Sequence, residues 1–571
     1  MKKTYELKNW QFRIKHLNPL SVGDFENANS VHRDFVLRAD PFTAAEYDRE
    51  YEVDKEVTLP HTWNVDSDER LQNYRGIGCY ETTVTIRNPV DYDAAFLYVG
   101  AAYHTANIYV NGHPAFYHSG SGYLPFEAEI SEYLKEGENQ IRIDVDNTPK
   151  KEMLPHVLDF DWADDGGLTR DVRLTLYEEK DIFDADIRYE IEIIDGNLCS
   201  GSLFIEPDTT DQKLSVELID YQSKETVLSC LTEDAEAFEL VFEDLSLWQP
   251  DRPNLYTVRI RGENDTFEKR IGFRTIEVNG TTVLLNGKPV YLKGCEWMPG
   301  SHPDYGMAET PEISRIFLRK IREAGCIFTR FHWQQDDSIF DWCDEHGLMV
   351  QEEIPYWGYP KIATPLQTDL AENQAIDMVH YHGHHPSIIC WGAGNELGGP
   401  DPETIDYVDH MVDFFKTLDD SRLVNYVSNS VGLDQNLDRD DAALHGDIAM
   451  WNDYLALWQP CDDVEAVIRR TAEKAGNMPI LVSEFGLCEP RFSGGDEKRC
   501  EILQERLPIY AAVDNMCGYM YFCLNDYRTQ MGEEGDGRFR RRVHGSVDMY
   551  GEEKPSYQLF RKLQEKYGKQ F

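Results

Sequence analysis

From about residue 276 to the C-terminus the chain alternates short apolar runs with helical stretches, and this pattern narrows its fold more than any other. The runs at 348–350, 388–391, 480–482 and 520–522 are apolar throughout, as strands buried on both faces are. Stretches of helical period, such as 312–324 and 374–381, lie between them. Strand–helix repetition over about 295 residues predicts a (β/α)8 barrel across 276–571.

Two of the runs end in glutamate. Ile388-Ile389-Cys390-Trp391-Gly392-Ala393-Gly394-Asn395 leads into Glu396, and Pro479-Ile480-Leu481-Val482-Ser483 leads into Glu484-Phe485-Gly486. In a β/α barrel the carboxyl ends of strands open into the active site. Two carboxylates there are what hydrolysis of an acetal needs. One protonates the leaving oxygen, and the other attacks the anomeric carbon or activates water. A raised pKa in one acid and an ionised partner divide that labour. Asn395 is placed to donate to a sugar hydroxyl. The plain alternative for any single glutamate of this kind is a surface salt bridge or a helix N-terminal charge.

Before the barrel the period changes to two. Residues 1–180 carry strand-like runs such as 80–86 and 106–110, the second closed by the turn pair Asn111-Gly112, and predict a jelly-roll β-sandwich. Residues 181–275 continue with 214–218 and 256–260, a length and pattern that fit an immunoglobulin-like sandwich.

The 571 residues carry a formal net charge of −47, which repels nucleic acid and anionic membrane. One stretch is locally basic: Arg538, Arg540, Arg541 and Arg542, followed by His544. The twelve cysteines form no CxxC pair, and Cys295, Cys326, Cys343, Cys390 and Cys523 sit in apolar segments. They read as buried free thiols of a reducing compartment. With no apolar h-region after the N-terminal lysines and no long apolar run, the expectation is a soluble cytoplasmic protein with no membrane or nucleic-acid partner. There is no nucleotide-binding glycine motif. His380, His382, His384 and His385 cluster without zinc spacing and read as structural. No cofactor or metal is expected.

The stretch from His385-Pro386-Ser387 to Asn395-Glu396 resembles the acid/base signature of glycoside hydrolase family 2, and Ser483-Glu484-Phe485-Gly486 resembles its nucleophile motif. That family contains β-galactosidases, β-glucuronidases and β-mannosidases. Other segments are similar in order along the chain: Leu59-Pro60-His61-Thr62-Trp63-Asn64, Val110-Asn111-Gly112, Asp161 to Arg170, Gly272-Phe273-Arg274, Leu285-Asn286-Gly287-Lys288-Pro289, Asp344-Glu345-His346-Gly347-Leu348 and Glu352-Glu353. The resemblance implies a retaining exo-β-glycosidase, with Glu396 as acid/base and Glu484 as nucleophile, their carboxyls about 5–5.5 Å apart. It implies a carbohydrate substrate and, since large members assemble, a homo-oligomer.

By the same resemblance Asp161 reaches from the sandwich to bind sugar hydroxyls, or else caps a turn. Tyr454 hydrogen-bonds the nucleophile, or is a core tyrosine. His332 contacts sugar, or is a satisfied core histidine. Its segment, Thr329-Arg330-Phe331-His332-Trp333-Gln334, has one residue fewer than the family pattern. Arg330 is either buried pairing or a cation facing substrate, and Glu296-Trp297 line the pocket wall.

The family's β-glucuronidases bind the C6 carboxylate through an Asn-x-Lys pair near the last strand. Arg542-Val543-His544 stands there in this chain. An arginine fork can bind a carboxylate bidentately, so the reading leans toward a galacturonide or glucuronide. Asp526 and Arg528 form a second candidate recognition site. The alternative is that the arginines neutralise Glu533, Glu534 and Asp536 on a loop. The rival functions are a β-galactosidase on neutral galactosides and, in a different class, a non-catalytic carbohydrate-binding protein.

Overall fold

The computed structural model describes residues 2–15, 17, 51–87, 92–150, 153–155, 161–209, 212–232, 237–358, 360–436, 438–489, 491–530 and 540–568. Three β-rich or β/α units follow one another along the chain. The first is a sandwich of a four-stranded sheet (Lys3–Glu6, Val172–Tyr177, Ala94–Val99, Phe126–Glu129, in spatial order) on a six-stranded one. Its strands alternate inward and outward residues, as in Asn9–Ile14, where Trp10, Phe12 and Ile14 turn inward. The Asn111-Gly112 turn has φ of 51° and 82°, the left-handed pair that a two-residue hairpin needs.

The second unit packs a three-stranded sheet (Asp184–Ile193, Leu198–Asp208, Phe238–Ser246) on a four-stranded one that includes Leu214–Asp220 and Tyr256–Arg261. Leu203, Val216, Val258 and Phe273 fill the space between the sheets. A short antiparallel sheet (Ile276–Asn279, Thr282–Leu285, Lys288–Pro289) then leads into the barrel. Ile276, Val283 and Leu285 join the core that Leu292, Phe328, Met349 and Leu481 build between the barrel strands.

Eight parallel strands close the barrel: β1 (Leu292–Cys295), β2 (Phe328–Phe331), β3 (Met349–Glu353), β4 (Ile388–Asn395), β5 (Leu423–Ser428), β6 (Ala449–Asp453), β7 (Ile480–Phe485) and β8 (Met516–Tyr521). β1 pairs with β8 to complete the ring. Every residue of β2 to β8 is buried, which is why the apolar runs at 348–350, 388–391 and 480–482 mark β3, β4 and β7. β8 begins four residues before the 520–522 run, with Gly518 interrupting its apolar residues.

Among the described residues the α-helices are α1 (Pro311–Glu323), α2 (Asp337–His346), α3 (Pro365–His382), α4 (Pro402–Leu418), α5 (Val464–Ala475), α6 (Gly495–Ala511) and α7 (Pro555–Tyr567). α3 starts well before residue 374. Its inward face opens with Gln367 and Ala371, too polar and small to show helical hydrophobic period. Proline at the first helical turn of α1, α3, α4 and α7 suits a position whose N–H has no intrahelical partner. Among the described residues no helix is long and apolar enough to cross a membrane.

Candidate active site

The carboxyl ends of the strands deliver a ring of polar side chains to one mouth of the barrel. Glu396 directly follows β4, with φ of 54°. A non-glycine residue in that region costs on the order of 1–3 kcal/mol, and such strain gathers where a side chain must be aimed. Preceding it, Gly394 has φ of 146° and passes so close to the Tyr356 carbonyl that a Cβ would meet it at 2.8 Å. Glu396 is partly exposed. Asn452 at the end of β6 donates to its Oε1 at 2.8 Å. Desolvation first, and then the proximity of Glu484, push the Glu396 carboxyl up to about 7.

Glu484, in β7, is held differently. Tyr454 O–H donates to Oε2 at 2.7 Å and Arg330 Nη1 donates to Oε1 at 3.0 Å. Asn452 links the two acids: its amide nitrogen serves Glu396 while its Oδ1 accepts from Ser483 Oγ at 2.8 Å, one residue before Glu484. Asn395 is buried and accepts from the same amide at 3.2 Å.

Beneath them lies a dry ion network. Arg330 has no exposed surface. Its Nε and Nη2 grip both oxygens of Glu353 at 2.9 Å, and Nη1 reaches Glu296 at 2.9 Å as well as Glu484. Against its burial, Arg330 and His332 pull Glu353 down to about 2. Glu353 fits because Gly392 opposite it has no side chain; a Cβ there would meet the Glu353 Cβ at 2.7 Å. His332 Nδ1 lies 3.3 Å from Glu353, and its Nε2 lies 3.7 Å from Glu484. Burial and Arg330 push His332 down, but Glu296 and Glu353 outweigh them and hold it above its ordinary value.

Glu296, His332 and Glu484 each offer a ligand atom within 4.8 Å of the others. Arg330 already bonds both of those acids, so a side chain of the protein supplies the cation at this point.

The sandwich supplies the upper wall. Trp162 stacks on Trp333 at 4.7 Å and on His332 at 5.8 Å, and its Nε1 donates to Tyr123 at 2.8 Å. Next to it, Asp161 enters the mouth and meets the loop after β8. Its oxygens accept from Arg542 at 2.5 Å, Tyr527 at 2.8 Å and Thr529 at 2.9 Å. Burial raises the Asp161 carboxyl against the pull of Arg542. The charge of Glu484 adds to the rise of the Asp161 carboxyl.

Several expected substrate contacts are spent elsewhere. Arg330 braces three acids and is wholly buried, so it orients the site rather than touching sugar. Trp297 turns outward to stack on Phe317 of α1 at 5.5 Å, since neighbouring residues at a strand end face opposite ways; Glu296 takes the inward side. Arg528 forks onto Asp165 of the sandwich at 2.6 and 2.9 Å. Asp526 accepts from Lys554 at 2.6 Å and from the Gly545 N–H at 3.0 Å, fixing the loop. His544 is buried edge-on against Tyr527 at 5.2 Å; burial, aided by Arg542, holds it neutral, so it adds no cation. Arg541 and Arg542 form a two-residue return strand paired with Tyr527–Arg528. Arg538 lies outside the described residues, as do Glu533, Glu534 and Asp536.

Glu353, Asn452 and Trp162 were given no site role from the sequence. Glu353 ends a strand as Glu484 nearly does, but Gln351 and Glu352 before it break the apolar run that marked the other two acids.

A barrel with buried acids at the carboxyl ends of its strands, roofed by a β-sandwich, defines a glycosidase-type architecture. Three family models match in succession: the sugar binding domain of glycosyl hydrolases family 2 over residues 25–178, a further family 2 model over 169–274, and the family 2 TIM barrel domain over 276–511. The chain belongs to glycoside hydrolase family 2.

It is 30% identical over 378 residues to a putative β-glucuronidase of Formosa agariphila, covering 64% of this chain and 45% of that one. The chain thus spans under half the length of this relative. It is 27% identical over 557 residues to a β-galactosidase of Thermoanaerobacterium thermosulfurigenes, covering 89% of this chain and 72% of that one. A crystal structure of a family 2 β-galacturonidase from Eisenbergiella tayi, bound to galacturonate, superposes with a TM-score of 0.79 at 21% identity, covering 100% and 98% of the two chains.

Proposed function

We propose that this protein is a retaining exo-β-glycosidase acting on a terminal β-uronide. The observation that carries the reading is the contrast between its two acids. Glu396 is pushed up to about 7, in range to hand over a proton near neutrality. Glu484 has a donor on each oxygen, an arrangement suited to an attacking carboxylate. In the first step Glu396 protonates the glycosidic oxygen while Glu484 bonds to C1. In the second step Glu396 takes a proton from water, and the water displaces Glu484.

The uronide preference is supported by Arg542 at the pocket wall and by the names of the relatives. A substrate carboxylate would compete with Asp161 for the guanidinium. That same Asp161–Arg542 pair favours the rival reading of a neutral galactoside, since the cation already has an acid of its own. All twelve cysteines are free thiols, which supports a cytoplasmic setting.

A panel of nitrophenyl β-glycosides (glucuronide, galacturonide, galactoside, mannoside) tests this. Turnover of a uronide with the β anomer released first is the expected result. Turnover of the galactoside but of neither uronide would end the uronide reading. An α anomer released first would end the assignment of Glu484 as nucleophile.

A further inference from the structure

Glu296 is the buried acid that the double-displacement scheme leaves unused. It directly follows β1 and has no exposed surface. Its Oε1 accepts from Arg330 Nη1 at 2.9 Å, and the same nitrogen donates to Glu484 Oε1 at 3.0 Å. One nitrogen therefore serves both acids. Glu296 Oε2 has no hydrogen-bond partner; His332 Nε2 stands 3.6 Å away.

The charges that face it come from every side: Arg330 and His332 from β2, Glu353 from β3 and Glu484 from β7, with the Cys295 and Cys523 thiols beside it. Three carboxylates against one guanidinium and one imidazolium would leave a negative charge unbalanced around a wholly buried acid. Such a charge is costly and is normally removed by proton uptake. A proton on Glu296 restores the balance.

We propose that Glu296 is a positioning residue for the nucleophile that works as a neutral carboxylic acid, sharing Arg330 Nη1 with Glu484 while leaving the guanidinium's charge to it. Ionised, Glu296 competes for that nitrogen and adds a like charge beside the attacking oxygen. Burial, reinforced by Glu484 and Glu353 against the pull of Arg330 and His332, places its ionisation at about 8. This inference rests on Glu484 being the nucleophile.

The test must be blind to Glu396, whose own ionisation suppresses ordinary turnover. A dinitrophenyl leaving group needs no acid. The rate at which a dinitrophenyl 2-fluoro-β-glycoside, of the sugar preferred in the panel, labels the full-length chain is therefore followed against pH. For the wild type the rate should fall roughly tenfold per pH unit above about 8. Glu296→Gln should lose the alkaline fall. Glu296→Asp, which keeps a titrating acid, should retain it.

A wild-type profile that stays flat from neutrality to about two units above overturns the proposal without any variant, as does an unchanged fall in Glu296→Gln. A folded Gln variant that no longer labels at neutrality would show that the anion is required, and would overturn it too. Peptide mapping separates this from the underlying reading: a label on any residue but Glu484 refutes the nucleophile, whatever the pH profile.

Discussion

The floor and the roof of this pocket are built on opposite plans. The floor comes from strand ends of one barrel, where Arg330 ties Glu296, Glu353 and Glu484 into a buried network. The roof comes from two distant segments, the sandwich residues 161–165 and the loop after β8, joined by Asp161–Arg542 and Asp165–Arg528. Rigid neighbouring strands hold the floor, so its charges can be dedicated to one acid and its reaction. The roof is a junction between units, so its charges must first hold the units together. A cation-rich run in the sequence therefore does not become a row of free anion sites.

If the floor governs chemistry and the roof governs choice of sugar, substitutions should separate the two. The largest effect is expected for Glu484→Gln, on the order of 10⁴-fold or more in kcat for every sugar in the panel. Turnover near wild type would remove the floor from the reaction.

Glu396→Gln should cost roughly 10²–10⁴-fold with a poor leaving group and far less with dinitrophenyl. The sign of the pH dependence follows from its raised carboxyl. The acid is protonated below its ionisation at about 7, so kcat/KM for poor leaving groups in the wild type should fall as pH rises through that value. An equal loss for both leaving groups would mean that Glu396 does not act as the acid.

Arg542→Ala should lower kcat/KM for uronides by roughly 10–100-fold and leave the galactoside within a few-fold. An equal loss on both would turn Arg542 into a brace for Asp161 and blur the contrast between floor and roof. The smallest catalytic effect is expected for Asp165→Asn. It leaves the floor intact, so kcat should stay within about twofold, while an Arg528 left with a weakened partner lowers Tm by a few degrees. A calorimetric scan beside initial rates checks both.

The network also predicts where stability responds to pH. Glu296 holds its proton in the folded chain up to about 8, against an ordinary value of 4.5. The folded state then binds more protons than the unfolded one between those values, so this residue makes stability fall as pH rises through that window. Glu353, down at about 2, acts the other way and loses its stabilising share only as pH falls toward that value.

Apolar strand runs, strands of period two, the Asn111-Gly112 turn and acids at strand ends are local signals. From them the sequence by itself determined a barrel and two sandwiches before it, because burial on both faces leaves a compositional mark on the barrel strands; Glu396 and Glu484 stood out as candidate acids at strand ends, and resemblance to the family gave them their expected roles. The sequence left open which way side chains point at a strand end, so Glu296 and Trp297 were both expected at the pocket wall, whereas Trp297 stacks on Phe317 instead. It left open, too, whether a charged group already has a partner. Arg528 meets Asp165, Arg542 meets Asp161 and Arg330 meets Glu353 across separations that no local pattern encodes. Only the tertiary structure decided those pairings, since an ion pair depends on distances set by how separate units pack, and the sequence of either partner carries no trace of the other.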